Sequence, residues 1–382
     1  MTWQESSDYG YGCRLGVEWN ESNTNGGTYK LAPSVWRLDQ SSTDNNGSSF
    51  SETLKTEPDG STGYWSGLRW GSGSGWRKVD YYSTRTYSKG HSAKTIKLTV
   101  STDSEFGTWS GSFHYLGAKS FTASITIPAR TSYSVTFNAN GGSGAPSAQT
   151  KWYAESLTLS STKPTFSGYA FKRWNTNTSD TGTAYSSGGS YTGNAALTLY
   201  AIWNRTVTYN KNTTDTVGSL PSSQTAVKSS AITLSSNTPT RTNYVFYHWN
   251  TGTTNAGTTY AKGGSYAANK PNVTLYAIWN PILYYKANGG SGADQSQTKT
   301  YGTAATLKAA DTFSNEGYTF KRWNTNALDT GTAYGAGASF TGNVTATLYA
   351  IWNQTITYDA NGGAGAPAAQ TDISTNNIAF LP

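Results

Sequence analysis

The sequence predicts an all-β protein: an N-terminal antiparallel β-sandwich followed by tandem small β-domains set end to end in a rod. Three observations carry this. The composition belongs to sheets and tight turns, with 41 glycines, 14 tryptophans and 27 tyrosines among 382 residues. Large side chains alternate at period two in the first third of the chain, and no window holds a long apolar stripe at helical spacing. Beyond that, a pair of aromatic segments returns at a fixed interval, which marks repeated domains.

Residues 1–130 do not repeat. Leu15-Gly16-Val17-Glu18-Trp19, Val35-Trp36-Arg37-Leu38-Asp39, Thr95 to Val100 and Ser120 to Ile127 each read as a strand. Asn25-Gly26-Gly27, Asp44-Asn45-Asn46-Gly47, Pro58-Asp59-Gly60 and Lys89-Gly90-His91 read as the turns between them. Short strands with polar turns predict a sandwich, closed at Pro128. The Gly/Ser-rich run from Gly60 to Trp76 holds Trp65, Trp70 and Trp76. Such aromatics can stack on sugar rings of a cell-wall glycan, although core or subunit-interface positions are the favoured reading.

Ser88-Lys89-Gly90-His91-Ser92-Ala93-Lys94, Trp109-Ser110-Gly111-Ser112 and Ser124-Ile125-Thr126-Ile127-Pro128-Ala129 together resemble the N-terminal domain of siphophage minor structural proteins. That resemblance implies a virion protein displayed at the tail, partnered by other tail proteins. The opening Met1-Thr2-Trp3-Gln4-Glu5 lacks the pattern of a secretory signal, which agrees with assembly in a host cytoplasm.

The repeats are expected at 131–204, 205–280 and 281–353, with a partial fourth at 354–382. Their first tryptophans, Trp174, Trp249 and Trp323, stand 75 and 74 residues apart; the second, Trp203, Trp279 and Trp352, stand 76 and 73 apart. Each copy opens with a short strand such as Ser134-Val135-Thr136-Phe137. A turn follows, Asn140-Gly141-Gly142 or Asn288-Gly289-Gly290, where glycine supplies positive φ. Repeat two has Asn212-Thr213-Thr214 there, so its turn is expected to differ. The aromatic strand and the closing strand complete each copy. Tyr169, Phe171, Trp174 and Trp203, with Phe246, Trp249, Trp279, Phe320, Trp323 and Trp352 in the later copies, are the expected core of domains this small. Trp203-Asn204-Arg205-Thr206-Val207 leaves almost no linker between copies.

The opening strand, Asn-Gly-Gly, Gly-Tyr-x-Phe-x-x-Trp and Leu-Tyr-Ala-x-Trp resemble the Listeria–Bacteroides repeat, the module shared with internalin B-repeats. The resemblance covers residues 133–353 three times. It implies small β-grasp-like domains in extracellular or surface-displayed stalks. Repeat two departs at the turn and at Asn243, which stands where the others have Gly168 and Gly317.

The chemistry-bearing residues do not assemble. Cys13 has no internal partner, and His91, His114 and His248 lack metal-ligand spacing. Asp39 with Asp44, or Glu52 with Glu57, are carboxylate pairs better explained as solvated loop residues. No cofactor, metal or catalytic group is expected, and the protein is read as a non-enzyme. Net charge is +1 over residues 1–130 (13 basic, 12 acidic) and +6 over 131–382 (15 basic, 9 acidic), too diffuse for nucleic-acid binding. No run approaches the ~20 apolar residues of a membrane span. Lys172-Arg173 and Lys321-Arg322 are basic pairs on the aromatic strands and candidate surface-binding residues; repeat two has Tyr247-His248 instead. The expected function is a phage tail-tip or tail-fibre component that projects its repeats toward a host receptor or glycan. A homo-oligomer is expected, and the fibres it resembles imply a trimer. The alternative is a bacterial cell-surface adhesin or stalk.

Overall fold

The computed structural model describes residues 2–10, 14–22, 26–39, 52–57, 61–65, 75–81, 84–102, 107–109, 113–374, 376 and 378–380. Within 34–83 and 102–115 it describes backbone only. The described residues are all-β. Two compact units are present. The first comprises Met1–Asn140, Gly144–Pro164 and Arg173–Ala201; the second comprises Gly141–Ser143, Thr165–Lys172 and Ile202–Pro382. The division runs through the first repeat.

The first unit begins with a two-sheet sandwich. One sheet orders Thr2–Glu5, Arg14–Ser22, Thr28–Asp39 and Gly75–Tyr81, with Arg85–Ser88 also on Thr28–Asp39. The other orders Ser120–Ile127, Lys94–Thr102, Glu52–Glu57 and Ser61–Trp65. Alternation decides which face is buried. Along Ser120–Ile127, Ala123, Ile125 and Ile127 point inward while Thr122, Ser124 and Thr126 are exposed. They meet Leu15, Val17, Trp19 and Leu31 of the first sheet. Each buried aliphatic side chain contributes about 1.5–3 kcal/mol of transfer free energy.

Past Pro128 the chain is pinned before the first repeat begins. Thr131 N–H donates to Gly26 O at 2.9 Å, and Arg130 N–H to Gly90 O at 2.7 Å. A Cβ on Gly26 would lie 2.6 Å from Thr131, so the turn must be glycine. His91, isolated in the sequence, lies flat on Trp152 with centroids 4.3 Å apart. Its Nε2 sits 3.1 Å from Glu155, which also pairs with Arg130 at 2.7 Å.

Repeat two shows the repeat architecture within the second unit. Its opening strand is the end of the long strand Leu197–Asn210. It pairs antiparallel with Gln224–Val227 and parallel with Val273–Lys286. That closing strand pairs antiparallel with the aromatic strand Tyr244–Asn250. First and last strands thus lie parallel at the centre of a mixed sheet, the β-grasp order, and the connection between them contains no helix. A separate ladder, Ile232–Thr233 with Ser265–Tyr266, covers the core from the other side. Repeat three follows the same plan with Gln295–Thr298, Tyr318–Asn324 and Ala346–Ile356. Each closing strand runs on without interruption as the next opening strand, so Leu197–Trp203 and Thr206–Tyr209, expected as two strands, are one.

The departures in repeat two are absorbed locally. Asn140, Asn212 and Asn288 all take positive φ, at 48°, 52° and 49°. In each turn the side chain is held alike: Nδ2 donates to Ala201 O, Ala277 O and Ala350 O respectively. The turns diverge only afterwards. Gly142 and Gly290 press against Trp203 and Trp352, where a Cβ would sit 2.6 and 2.8 Å away. Repeat two lacks that glycine and takes a longer path, bridging Gly218 to Thr240 where the others bridge Ser143 to Thr165 and Ser291 to Ser314. Asn243 adopts φ 64°, beside 78° and 79° for Gly168 and Gly317, because asparagine tolerates the left-handed region.

Candidate functional site

The aromatic strands carry both the candidate core and the candidate binding residues. In repeats two and three the pairing with the closing strand shifts register between Phe246 and His248 and between Phe320 and Arg322. The bulge re-aims one residue. Tyr247 and Lys321 occupy it and are exposed, as is Lys172 in repeat one.

The arginine of each basic pair is committed inside the protein. Arg173 Nε and Nη2 fork onto Asp180 at 2.8 and 2.9 Å. Arg322 forks onto Asp329 at 2.9 and 2.5 Å. The planar guanidinium suits this bidentate geometry. Arg322 holds the Asp329 carboxyl below the usual carboxylate range. In repeat two His248 Nε2 lies 2.6 Å from Asn255 Oδ1, the same contact with an amide in place of the carboxylate. Arg173 and Arg322 therefore tie down the following loop, leaving Lys172 and Lys321 as the exposed cations of each pair.

Beneath each of these three contacts lies a residue that the sequence did not single out. Asn175, Asn250 and Asn324, next to the first tryptophans, are fully buried. Asn324 Nδ2 donates to Asp329 Oδ1 and Gly331 O, while its Oδ1 accepts from the N–H groups of Asn326 and Gly331. Asn175 and Asn250 repeat the set. The recurrent Trp-Asn dipeptide was the available signal.

A buried cation is likewise absent from the sequence expectations. Lys151 and Lys299 are 0% and 1% exposed. Their Nζ atoms donate to Asn194 Oδ1 and Asn343 Oδ1 at 3.3 and 2.9 Å, and to the carbonyls of Trp152 and Thr300. Burial lowers the pKa of Lys299. Repeat two has Ala226 in that place, facing Arg205 across the ladder. Arg205 is itself fully buried and donates to the carbonyls of Ala267, Ser230 and Tyr266. The cation is kept while its strand changes.

Trp174, Trp249 and Trp323 are 0% exposed, and Trp203, Trp279 and Trp352 are buried as well. Phe171, Phe246 and Phe320 pack edge-on against the second tryptophans at 5.9, 5.9 and 6.0 Å. Tyr169, grouped with the core by sequence, instead sits half-buried at the junction with repeat two, its hydroxyl donating to Asn269 O at 2.7 Å. Trp70 lies outside the described residues, as do Cys13 and Asp44. Trp65, Trp76, His114, Asp39, Glu52 and Glu57 are described as backbone only. Among the described residues, no three of His, Cys, Asp or Glu gather as a metal site.

The Listeria-Bacteroides repeat domain matches at residues 133–202, 206–278 and 282–351. These spans exceed half of the chain, and the protein belongs to that family. It is similar to a putative Gly-rich membrane protein of Evansella cellulosilytica, 27% identical over 230 residues, covering 56% of this chain and 26% of that protein. The chain thus spans about a quarter of that relative's length. Among solved structures it aligns with the Bacillus anthracis TIE protein over 87% of this chain and 74% of that one, with 9% identity and a TM-score of 0.26. A likeness that weak carries no argument.

Proposed function

We propose that this protein is a non-enzymatic, extracellular display protein: the N-terminal sandwich attaches, and the repeats carry Lys172, Tyr247 and Lys321 exposed on their aromatic strands. The single observation that supports this most is what the repeats do with their polar residues. Asn324, Lys299 and the Arg322–Asp329 fork are spent on holding loops and strands in place. Construction of this kind, repeated three times with no intervening linker, suits a stalk.

Two carriers follow from different observations. Residues 87–130 resemble the N-terminal domain of siphophage minor structural proteins, which favours a virion tail component, assembled as a homo-oligomer with other tail proteins. The similarity to a putative Gly-rich membrane protein favours a bacterial surface stalk. Immunogold labelling with an antibody against residues 133–353 separates them. Label on purified particles supports the tail reading, and label on intact uninfected cells supports the surface stalk. Label found only inside permeabilised cells overturns extracellular display.

A further inference from the structure

In every repeat the opening and closing strands pair in parallel. The partners run from Val135↔Leu197 to Asn138↔Tyr200, from Val207↔Val273 to Asn210↔Tyr276, and from Leu283↔Ala346 to Lys286↔Tyr349. The chain enters each repeat at the start of one partner and leaves at the end of the other. Pulled along the chain, two parallel strands are drawn by opposite ends and must slide. All their ladder hydrogen bonds then lie across the force and bear it together. Two strands pulled from the same end instead peel away from each other, and the bonds break in sequence.

We propose that each repeat is a shear clamp, and that the repeats carry tension along the chain. Three further features favour this. The clamp strands are buried on their inner face by Val207, Tyr209 and Leu275, and by Leu283, Tyr285 and Leu348, so sliding also exposes core. An antiparallel strand braces each side, Gln224–Val227 and Tyr244–Asn250 in repeat two. Finally, Val273–Lys286 is one strand serving two clamps, so load passes from repeat two to repeat three without a hinge. The inference rests on strand geometry and holds for either carrier.

The test is single-molecule force spectroscopy on the full chain with Cys13→Ser, anchored at its two ends. Three events of similar force are expected, each lengthening the tether by roughly 23 nm, from about 74 residues at ~3.6 Å less a folded span of ~33 Å. A second variant adds Val344→Cys, at a 60%-exposed position just before the closing strand Ala346–Ile356. Anchoring at the N-terminus and at residue 344 pulls repeat three from the same end of both clamp strands. Its event should fall to about a third of the force or less while the other two stay, since forced rupture reports the unfolding barrier. An unchanged thermal melt confirms that the variant folds. Equal forces in the two geometries would overturn the clamp, as would end-to-end rupture at the peeling force.

Discussion

Replacing Asn324 with Ala is the sharpest probe of how a repeat is held together. The side chain is fully buried. It makes four hydrogen bonds: to Asp329 Oδ1 at 2.9 Å, to Gly331 O at 3.3 Å, and from the N–H groups of Asn326 and Gly331 at 2.9 and 3.0 Å. At about 0.5–1.5 kcal/mol each, the set is worth roughly 2–6 kcal/mol, with further cost if the stranded N–H groups stay dry. The loop can open to water, which places the expected loss near ~3 kcal/mol. That is a large share of a small domain's stability. Hydrogen exchange read by mass spectrometry should show amide protection across residues 325–332 falling about 100-fold while repeat two is unchanged. Protection within about three-fold of wild type would refute the claim that this asparagine staples the loop.

Trp323→Ala should cost about 3–5 kcal/mol by urea denaturation, the range for deleting a buried large aromatic, and it strands Lys308 O, which the indole N–H now reaches at 2.8 Å; an unchanged midpoint would place Trp323 outside the core. Ala226→Lys should destabilise repeat two by setting a second cation beside buried Arg205, and adding Arg205→Tyr should recover most of the loss; simple additivity in that cycle would contradict the cation exchange. Because Arg322 depresses the Asp329 pKa, the unfolded chain takes up that proton first. The fork's stabilisation is therefore full above the ordinary carboxylate range near pH ~4 and is lost as pH falls through the lower folded value. Asp329→Asn should flatten that acid limb in a pH series of melts; an undiminished limb would assign it to other carboxylates.

Much of the fold was legible because periodicity is written in large side chains. Trp174, Trp249 and Trp323 announce the repeats by spacing alone, and Ala123, Ile125 and Ile127 announce a strand with one buried face. The polar framework was less legible. Arg173 and Asp180 are seven residues apart, and only the loop between them brings them together. Lys151 and Lys299 look like solvated lysines until the ladder sets them against Asn194 and Asn343. Tyr169 has the pattern of a core aromatic, but the junction with repeat two claims it. Asn243 looks like a broken glycine position, yet asparagine reaches the same positive φ. For Arg173, Lys151, Lys299 and Tyr169 the deciding partner lies on another element, so the local sequence carries no trace of it.

Fold and display can be tested together by labelling intact carriers, particles or cells, with a membrane-impermeant amine reagent and mapping the lysines by mass spectrometry. Exposed Lys172 and Lys321 should be modified, while Lys151 and Lys299, 0% and 1% exposed, should be modified only after denaturation. Labelling of Lys299 in the native protein would contradict the buried-cation architecture. Modification of Lys321 only after the carrier is broken open would contradict extracellular display.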